Sequence, residues 1–170
     1  MLLTLETKDL SWFIESMQEA FQKGFEDVYG KTEEKILPLA DIEQSLHAKG
    51  ACALVAWLDN EPVGGAIVCI DEVTQCHHLD FLFVKYGIQS KGIGKRIWQS
   101  IEKMFPQTKV WETCTPYFEK RNIHFYVNAC GFYITEFYNE KHPEPNVSDD
   151  FVGDGGEGMF VLKKFMGDVV

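Results

Sequence analysis

The sequence predicts a mixed α/β domain in which a central sheet of about six to seven strands is flanked by about four helices. Short apolar runs alternate with longer stretches of helical periodicity, in the order strand, two helices, three strands, helix, strand, helix, two strands. Hydrophobic residues make up 45% of the chain and aromatic residues 14%, which indicates a folded core. Because no linker or repeat interrupts this pattern, residues 1–170 are predicted to form a single domain.

The N-terminal part of the chain predicts one strand and two helices. Leu2–Glu6 is a short apolar segment that is typical of a first strand. Asp9 can cap a helix that extends to about Lys23, because apolar residues then recur every three or four positions. A second helical stretch is predicted over Glu33–Ala48, bent or interrupted at Pro38, which has no backbone N–H to donate.

Three strands are predicted in the middle of the chain. Ala51–Leu58 and Val63–Ile70 are apolar runs joined by polar and turn-forming residues at 59–62, a pattern typical of a β-hairpin. His77–Val84 is predicted as the next strand, because a short apolar run ends there at a glycine-rich turn.

The second half of the chain predicts two helices and three strands. The helices are expected at Gly94–Phe105 and Pro116–Cys130, and Gly131 can end the second of them. Residues 139–158 are polar and rich in Gly, Pro and Asp, so they are predicted to form a loop. The strands of this half are predicted at Lys109–Cys114, Phe132–Tyr138 and Met159–Phe165.

Composition excludes several classes of protein. No apolar run approaches the roughly 20 residues of a membrane span, and the seven N-terminal residues do not form a signal peptide. The five cysteines are scattered and form neither a CxxC pair nor a zinc spacing, which favours reduced thiols, a cytoplasmic location and no metal. Residues 81–137 hold eight basic and four acidic side chains, although the whole chain carries a net charge of −10. This distribution favours a small polyanion over nucleic acid as ligand.

The segment 84–96 is a glycine-rich turn between an apolar strand and an amphipathic helix. A helix start leaves backbone N–H groups unpaired and carries partial positive charge. Gly92 and Gly94 lack a Cβ and would allow a ligand close to the backbone, while Lys91, Lys95 and Arg96 add positive charge. The segment therefore predicts a phosphate or pyrophosphate site, and a turn that binds no ligand is the alternative.

The spacing in this segment distinguishes between phosphate-binding motifs. A P-loop would need lysine at Ile93 and a following Ser or Thr, and a dinucleotide fingerprint would need glycine at Ile97. The sequence Gln89-Ser90-Lys91-Gly92-Ile93-Gly94 instead resembles the acetyl-CoA-binding motif of the GNAT N-acetyltransferase superfamily, Gln/Arg-x-x-Gly-x-Gly/Ala. The order of predicted elements resembles the GNAT fold across nearly the whole chain, and this resemblance implies that the central sheet is mostly antiparallel.

This resemblance implies a place for the cofactor. In the GNAT fold the fourth and fifth strands, here His77–Val84 and Lys109–Cys114, splay apart and hold the pantetheine arm of CoA between them. The resemblance implies acetyl-CoA as acyl donor and no metal. The residues implied to contact the donor are Leu82, Phe83, Val84, Gln89, Ser90, Lys91, Gly92, Ile93, Gly94, Lys95 and Asn122.

Tyr126 is the candidate general acid. GNAT proteins often have an Asn, then Phe-Tyr, then Gly-Phe in this region, and here Asn122 and Phe125-Tyr126 lead to Gly131-Phe132. The resemblance implies that the Tyr126 hydroxyl protonates the departing thiolate. Tyr126 precedes Gly131 by five residues, whereas the family pattern usually has four. The alternative is that Tyr126 only packs in the core.

His78 is the candidate general base. Some GNAT enzymes place a carboxylate on the fourth strand six residues before its last apolar residue, and counting back from Val84 gives His78. Side-chain alternation predicts that residues 78, 80, 82 and 84 share one face, so Asp80 could orient His78 or replace it as base. A register slip by one residue would place His77 in the site instead. Alternatively, both histidines face solvent at the strand start.

The predicted function is transfer of the acetyl group of acetyl-CoA to an amine by direct attack in a ternary complex. The alternative is a non-catalytic acyl-CoA-binding or sensing module. Cys114 and Cys130 are candidate nucleophiles, but a lone cysteine more often packs as a small hydrophobe. Predicted partners are a small-molecule or peptide amine and, where the chain dimerises, a second copy, with neither nucleic acid nor membrane.

The resemblance implies that the acceptor faces the early helices and the loop before the last strand, and both regions are acidic in this chain. They favour a cationic amine, although a solvated acidic surface explains them equally well. Their members are Glu26, Asp27, Glu33, Glu34, Asp149, Asp150, Asp154 and Glu157.

Overall fold

The computed structural model describes residues 1–5, 10–89, 92–145 and 158–167. One seven-stranded sheet has the order β1-β2-β3-β4-β5-β7-β6, and its pairs are antiparallel except β4 with β5. This arrangement confirms the predicted fold class. The strands are β1 (Leu2–Leu5), β2 (Ala51–Leu58), β3 (Glu61–Cys69), β4 (Cys76–Val84), β5 (Val110–Pro116), β6 (Tyr133–Tyr138) and β7 (Met159–Phe165).

Within the described residues, four α-helices cover the two faces of this sheet. The apolar side chains of α1 and α2 pack on one face, which we call the α1/α2 face, and those of α3 and the residues after α4 pack on the other, the α3/α4 face. No helix in the described ranges has both the length and the apolar character needed to cross a bilayer. The helices are α1 (Ser11–Tyr29), α2 (Leu39–His47), α3 (Ile93–Met104) and α4 (Lys120–His124), and a π-helical turn (Phe125–Ala129) follows α4.

The two N-terminal helices differ from their predicted bounds. α1 continues past Lys23 to Tyr29 and ends at Gly30, whose φ of +89° suits glycine. The predicted stretch Glu33–Ala48 is wrong as one helix, because α2 begins only at Leu39. Pro38 has extended backbone angles there, and its ring disfavours helical geometry in the residue before it.

The hairpin between β2 and β3 is confirmed, with a tighter turn than predicted. Asp59 and Asn60 have φ values of +52° and +66°, which is the geometry of a two-residue turn. Leu58 therefore pairs directly with Glu61, and β3 begins two residues before the predicted Val63.

The parallel strands β4 and β5 pair only over their first halves. Their register runs from Cys76 opposite Val110 to Leu79 opposite Thr113. Beyond Leu79, β4 continues to Val84 and β5 continues to Pro116 without pairing with each other. The strands thus leave a gap between their carboxyl halves, which confirms the predicted splay.

A β-bulge in β4 reverses the side-chain alternation. Val68 of β3 pairs with Leu79 and Ile67 pairs with Phe81, so Asp80 has no partner on β3. Leu82 and Val84 pack in the cluster on the α3/α4 face, whereas Phe81 packs on the α1/α2 face. The prediction that residues 78, 80, 82 and 84 share one face is therefore wrong, since only 78 and 80 lie on the α1/α2 face.

The segment after β5 also departs from the prediction of one helix over Pro116–Cys130. Pro116 belongs to β5 and pairs with Met159, so the helix begins only at Lys120. The N–H of Cys130 then donates to the carbonyl of Phe125 over 3.0 Å, five residues back, which defines the π turn. This turn contains one residue more than an α-helical turn, which accounts for the extra residue between Tyr126 and Gly131.

Candidate active site

The amino end of α3 borders the gap between β4 and β5. A Cβ built on Gly94 in its first turn would lie 3.5 Å from Val84 at the end of β4, and 3.2 Å from the ring of Phe125. Gly94 therefore allows α3 to pack closely on its neighbours. This role differs from the predicted one, in which Gly94 opens the backbone to a ligand.

Gly92 has the geometry expected at an anion site. It is the N-cap of α3 with a φ of +71°, and no side chain caps the helix. The first helical bond runs from the Arg96 N–H to the Gly92 carbonyl over 3.1 Å, so the N–H groups of residues 93–95 remain without a described helical partner. A Cβ on Gly92 would meet no described atom within 4 Å. The exposed Lys95 lies in this first turn, and Ile93 is buried beneath it.

Other predicted donor-binding residues have different surroundings. The Gln89 side chain accepts a hydrogen bond from the Gly87 N–H (2.7 Å) and donates to the Val84 carbonyl (3.4 Å), so it closes the turn after β4. Asn122 is half-buried in α4, and its side-chain amide bonds to none of the described residues. Ser90 and Lys91 lie outside the described residues.

The gap also contains a polar atom without a partner. Thr115 lies on β5 beyond the last pair with β4, and its Oγ1 is buried without a hydrogen-bond partner among the described residues. Such an atom costs about 1–3 kcal/mol when it stays unpaired, so a polar ligand in the gap would remove that cost. Together with the open N-terminus of α3, this fits a ligand with both a pyrophosphate and amide groups.

Tyr126 lies where the gap begins, on the α3/α4 face. It is 8% exposed and sits in the π turn. Burial raises the pKa of its hydroxyl, although hydrogen bonding with Thr113 opposes this effect. Thr113 in turn donates to the carbonyl of Leu79 over 2.8 Å, and these two residues form the last β4–β5 pair. A phenol that keeps its proton at this position can act as an acid.

His78 and Asp80 form a dyad on the opposite face. Nδ1 of His78 lies 2.5 Å from Oδ1 of Asp80, and the hydroxyl of Ser45 on α2 donates to Oδ2. Burial would lower the pKa of His78, but bonding to Asp80 and Cys114 outweighs it and raises that pKa to about 10. Burial disfavours the Asp80 carboxylate, but bonds from His78 and Ser45 outweigh this and hold its pKa below the ordinary value.

The second nitrogen of His78 faces β5. Its Nε2 is 3.9 Å from Sγ of Cys114 and 4.0 Å from Oε1 of Glu112. Glu112 also pairs with Lys163 of β7 over 3.3 Å. Sequence reasoning missed Ser45, Glu112 and Lys163, because only the strand register and the docking of α2 bring them to His78.

His77 takes no part in this dyad. It is 3% exposed on the α3/α4 face, where its ring centroid lies 5.1 Å from that of Trp111. Its Nδ1 accepts a hydrogen bond from the Asp71 N–H over 3.1 Å, and burial lowers its pKa. The prediction that both histidines face solvent is wrong for His77.

Cys130 is likewise a core residue. It is 4% exposed, and burial raises the pKa of its thiol to about 12. A buried thiol of this kind is a poor nucleophile.

A cleft of about 260 Å³ lies between α1, α4 and the turn after β4. It contains one acidic side chain, Asp27, from the predicted acidic regions, whereas Glu26 is paired with Lys23 over 3.3 Å. The acidic residues at 149, 150, 154 and 157 lie outside the described residues. The cleft is lined by Gly24, Asp27, Tyr86, Gly87, Gln89 and Arg121.

Comparison with known families decides the kind of protein. Residues 14–132 match the family model described as the Acetyltransferase (GNAT) family. The chain belongs to the GNAT family. One similar sequence, the uncharacterized protein YrkN of Bacillus subtilis (strain 168), is 44% identical over 140 residues, which are 82% of this chain and 76% of that protein.

Solved structures share the GNAT fold at low sequence identity. A Bacillus subtilis acetyltransferase in complex with CoA is 17% identical with a TM-score of 0.67, covering 96% of this chain and 97% of that one. A GNAT family acetyltransferase from Elizabethkingia anophelis with acetyl-CoA bound is 16% identical with a TM-score of 0.68, covering 96% and 97%. The PaiA N-acetyltransferase from Thermoplasma acidophilum, in complex with coenzyme A, is 17% identical with a TM-score of 0.61, covering 97% and 99%. At this identity the likeness shows a shared fold and does not by itself show a shared ligand.

Proposed function

We propose that the protein is an N-acetyltransferase that moves the acetyl group of acetyl-CoA to an amine by direct attack in a ternary complex. The observation that supports this most is the placement of a proton donor and a proton acceptor around one gap. Tyr126 lies on the α3/α4 face at the Leu79–Thr113 pair, and the His78–Asp80 dyad lies on the α1/α2 face beside the same pair.

The donor would bind along the gap and the start of α3. Its pyrophosphate suits the uncapped N–H groups of residues 93–95 and the positive charge of Lys95. Its pantetheine amides can pair with the backbone groups of Leu82, Phe83 and Val84 that face the gap, since β4 has no β5 partner there. Bound CoA or acetyl-CoA in the three related structures supports this assignment.

The chemistry then needs one proton removed from the amine and one delivered to sulfur. Neutral His78 would accept the amine proton, and Tyr126 would protonate the leaving thiolate. A His78 pKa of about 10 is close to the ordinary value of about 10.4 for a lysine amine, so this transfer has little free-energy difference. At neutral pH most His78 is protonated, and turnover is therefore expected to increase as the pH rises.

The acceptor is proposed to be a cationic amine, either a small molecule or a peptide. Asp80 and Glu112 place negative charge around His78, which would attract an ammonium group. The carboxylate of Asp27 lines the cleft beside α1 and could hold a second cationic group.

An amine panel tests this function. Binding of acetyl-CoA is measured by calorimetry, and CoA release is then followed with polyamines, aminoglycosides and lysine peptides, with mass spectrometry of each acceptor. Acetyl-CoA binding with an acetylated amine product supports the proposal. Binding without any acetylated product would instead identify a non-catalytic acyl-CoA-binding module.

A further inference from the structure

The thiol of Cys114 contacts His78, the residue proposed above to accept the proton of the amine. Cys114 is the first residue of β5 after the last pair with β4, so it lies at the start of the gap. Its Sγ is 3.9 Å from Nε2 of His78, whose Nδ1 is 2.5 Å from Asp80. Thiol, imidazole and carboxylate thus follow one another as in a Cys–His–Asp triad.

The other cysteines lack this arrangement. Cys76 is exposed, and its thiol donates to the carbonyl of Thr74. The thiol of Cys69 donates to Asp80 (3.6 Å), and burial together with that negative charge raises its pKa to about 12. Within the described residues, Cys114 is the cysteine whose sulfur contacts an imidazole.

We propose that Cys114 is an acyl-acceptor thiol, which the protein acetylates from acetyl-CoA when no amine is present. This inference rests on the proposed function, because the donor must occupy the gap. It adds a modification site to that function and leaves direct attack by the amine unchanged.

The reaction is an exchange of thioesters. Nε2 of His78 takes the thiol proton, and the Cys114 sulfur attacks the acetyl carbonyl carbon. A bond forms between that sulfur and the acetyl carbon, the bond from this carbon to the CoA sulfur breaks, and the released thiolate takes a proton from Tyr126 or water. One thioester replaces another, so no further reactant is needed and added CoA reverses the step.

Amine and thiol would compete within the site. Both need neutral His78 and both approach the thioester from the α1/α2 face. A saturating amine should therefore suppress acetylation of Cys114.

The test uses the full chain incubated with acetyl-CoA without amine, quenched in acid and analysed by peptide mass spectrometry. The expected product carries one acetyl group on Cys114, which hydroxylamine or excess CoA removes. Cys76 provides an internal comparison, because it is more exposed and its thiol contacts the Thr74 carbonyl and no imidazole among the described residues. It should remain unmodified.

Three variants separate enzymatic from chemical acylation. Cys114→Ser should lose the thioester, and Cys76→Ser should label at Cys114 as the wild type does. His78→Ala keeps the thiol but removes its base, and labelling should slow about a hundredfold. Calorimetry with acetyl-CoA on the same preparations establishes that the donor binds each variant.

The outcomes are distinct. If acetyl-CoA binds and amines are acetylated while Cys114 stays unmodified, this inference is overturned and the proposed function stands. Equal labelling of Cys76 and Cys114, or a rate unaffected by His78→Ala, overturns it as ordinary chemical acylation. Failure of acetyl-CoA to bind overturns the proposed function, and this inference with it.

Discussion

Nδ1 of His78 lies 2.5 Å from Oδ1 of Asp80, and this contact favours a protonated imidazole at neutral pH. The ordinary pKa of a histidine side chain is about 6.5. Bonding to Asp80, whose other carboxylate oxygen accepts a hydrogen bond from Ser45, raises the pKa of His78 to about 10. The same contact therefore orients His78 and limits the fraction of His78 that is neutral and able to accept a proton.

Replacing Asp80 should shift the pH dependence of turnover. In the wild type, only neutral His78 accepts a proton, so the rate should rise with pH towards about 10. Asp80→Asn removes the carboxylate that favours the imidazolium, so the rising limb should move to lower pH. Asp41→Asn on the exposed side of α2 is the matched control. Superimposable profiles for Asp80→Asn and wild type would contradict the role of the dyad.

Removing the hydroxyl of Tyr126 should affect turnover more than donor binding. Tyr126→Phe should lower kcat about a hundredfold with little change in the KM for acetyl-CoA, because general acid catalysis is typically worth that much. Tyr133→Phe, at an exposed position on β6, is the control. A Tyr126→Phe variant that keeps the wild-type kcat would leave Tyr126 as a packing residue only.

A side chain at Gly92 should weaken acetyl-CoA binding. Gly92→Val places a branched side chain where a pyrophosphate would approach, at a φ of +71°, and should raise Kd more than tenfold, roughly 1.4 kcal/mol or more. Gly30→Val also has a positive φ, +89°, and open space, but it lies at the end of α1, so it controls for backbone strain. Calorimetry showing equal affinity in a folded Gly92→Val variant would exclude α3 as the anion site.

The dyad should also make stability depend on pH. The folded-state pKa of His78 is above its unfolded value, so its contribution is fully present below about pH 6.5 and is lost as the pH rises through about 10. Urea unfolding of wild type and His78→Ala should therefore differ most near pH 6 and converge at alkaline pH. A difference that is constant across this range would show that His78 contributes through packing alone.

The sequence predicted the elements better than the detailed geometry. The bounds of β2 and β7 agree with the prediction, because a glycine stands directly before each strand, at Gly50 and Gly158. The shared face of residues 78 to 84 was wrong, since the bulge at Asp80 arises from pairing with β3 and leaves no periodic signal. His78 precedes the bulge and Asp80 is the bulged residue itself, and the two side chains lie together as expected.

Long-range contacts account for what the sequence could not predict at the site. Ser45 lies 35 residues before Asp80 and is an ordinary polar position of an amphipathic helix until α2 docks on the sheet. Gly94 belongs to the predicted ligand-binding motif, yet a Cβ at this position would lie only 3.2 Å from the ring of Phe125. Local patterns identify which residues can bind or react, and packing decides which of them do so.

The π turn after α4 predicts how the separation of Tyr126 from Gly131 relates to helix geometry in similar chains. It carries an extra residue between Tyr126 and Gly131, so deleting one residue there would restore an α-helical turn. That deletion would rotate Tyr126 by about 100° relative to Gly131 unless the preceding helix rotated with it. Relatives whose tyrosine precedes the glycine by five residues should therefore retain the π turn. In relatives with a separation of four, the tyrosine should lie on a regular α-helix.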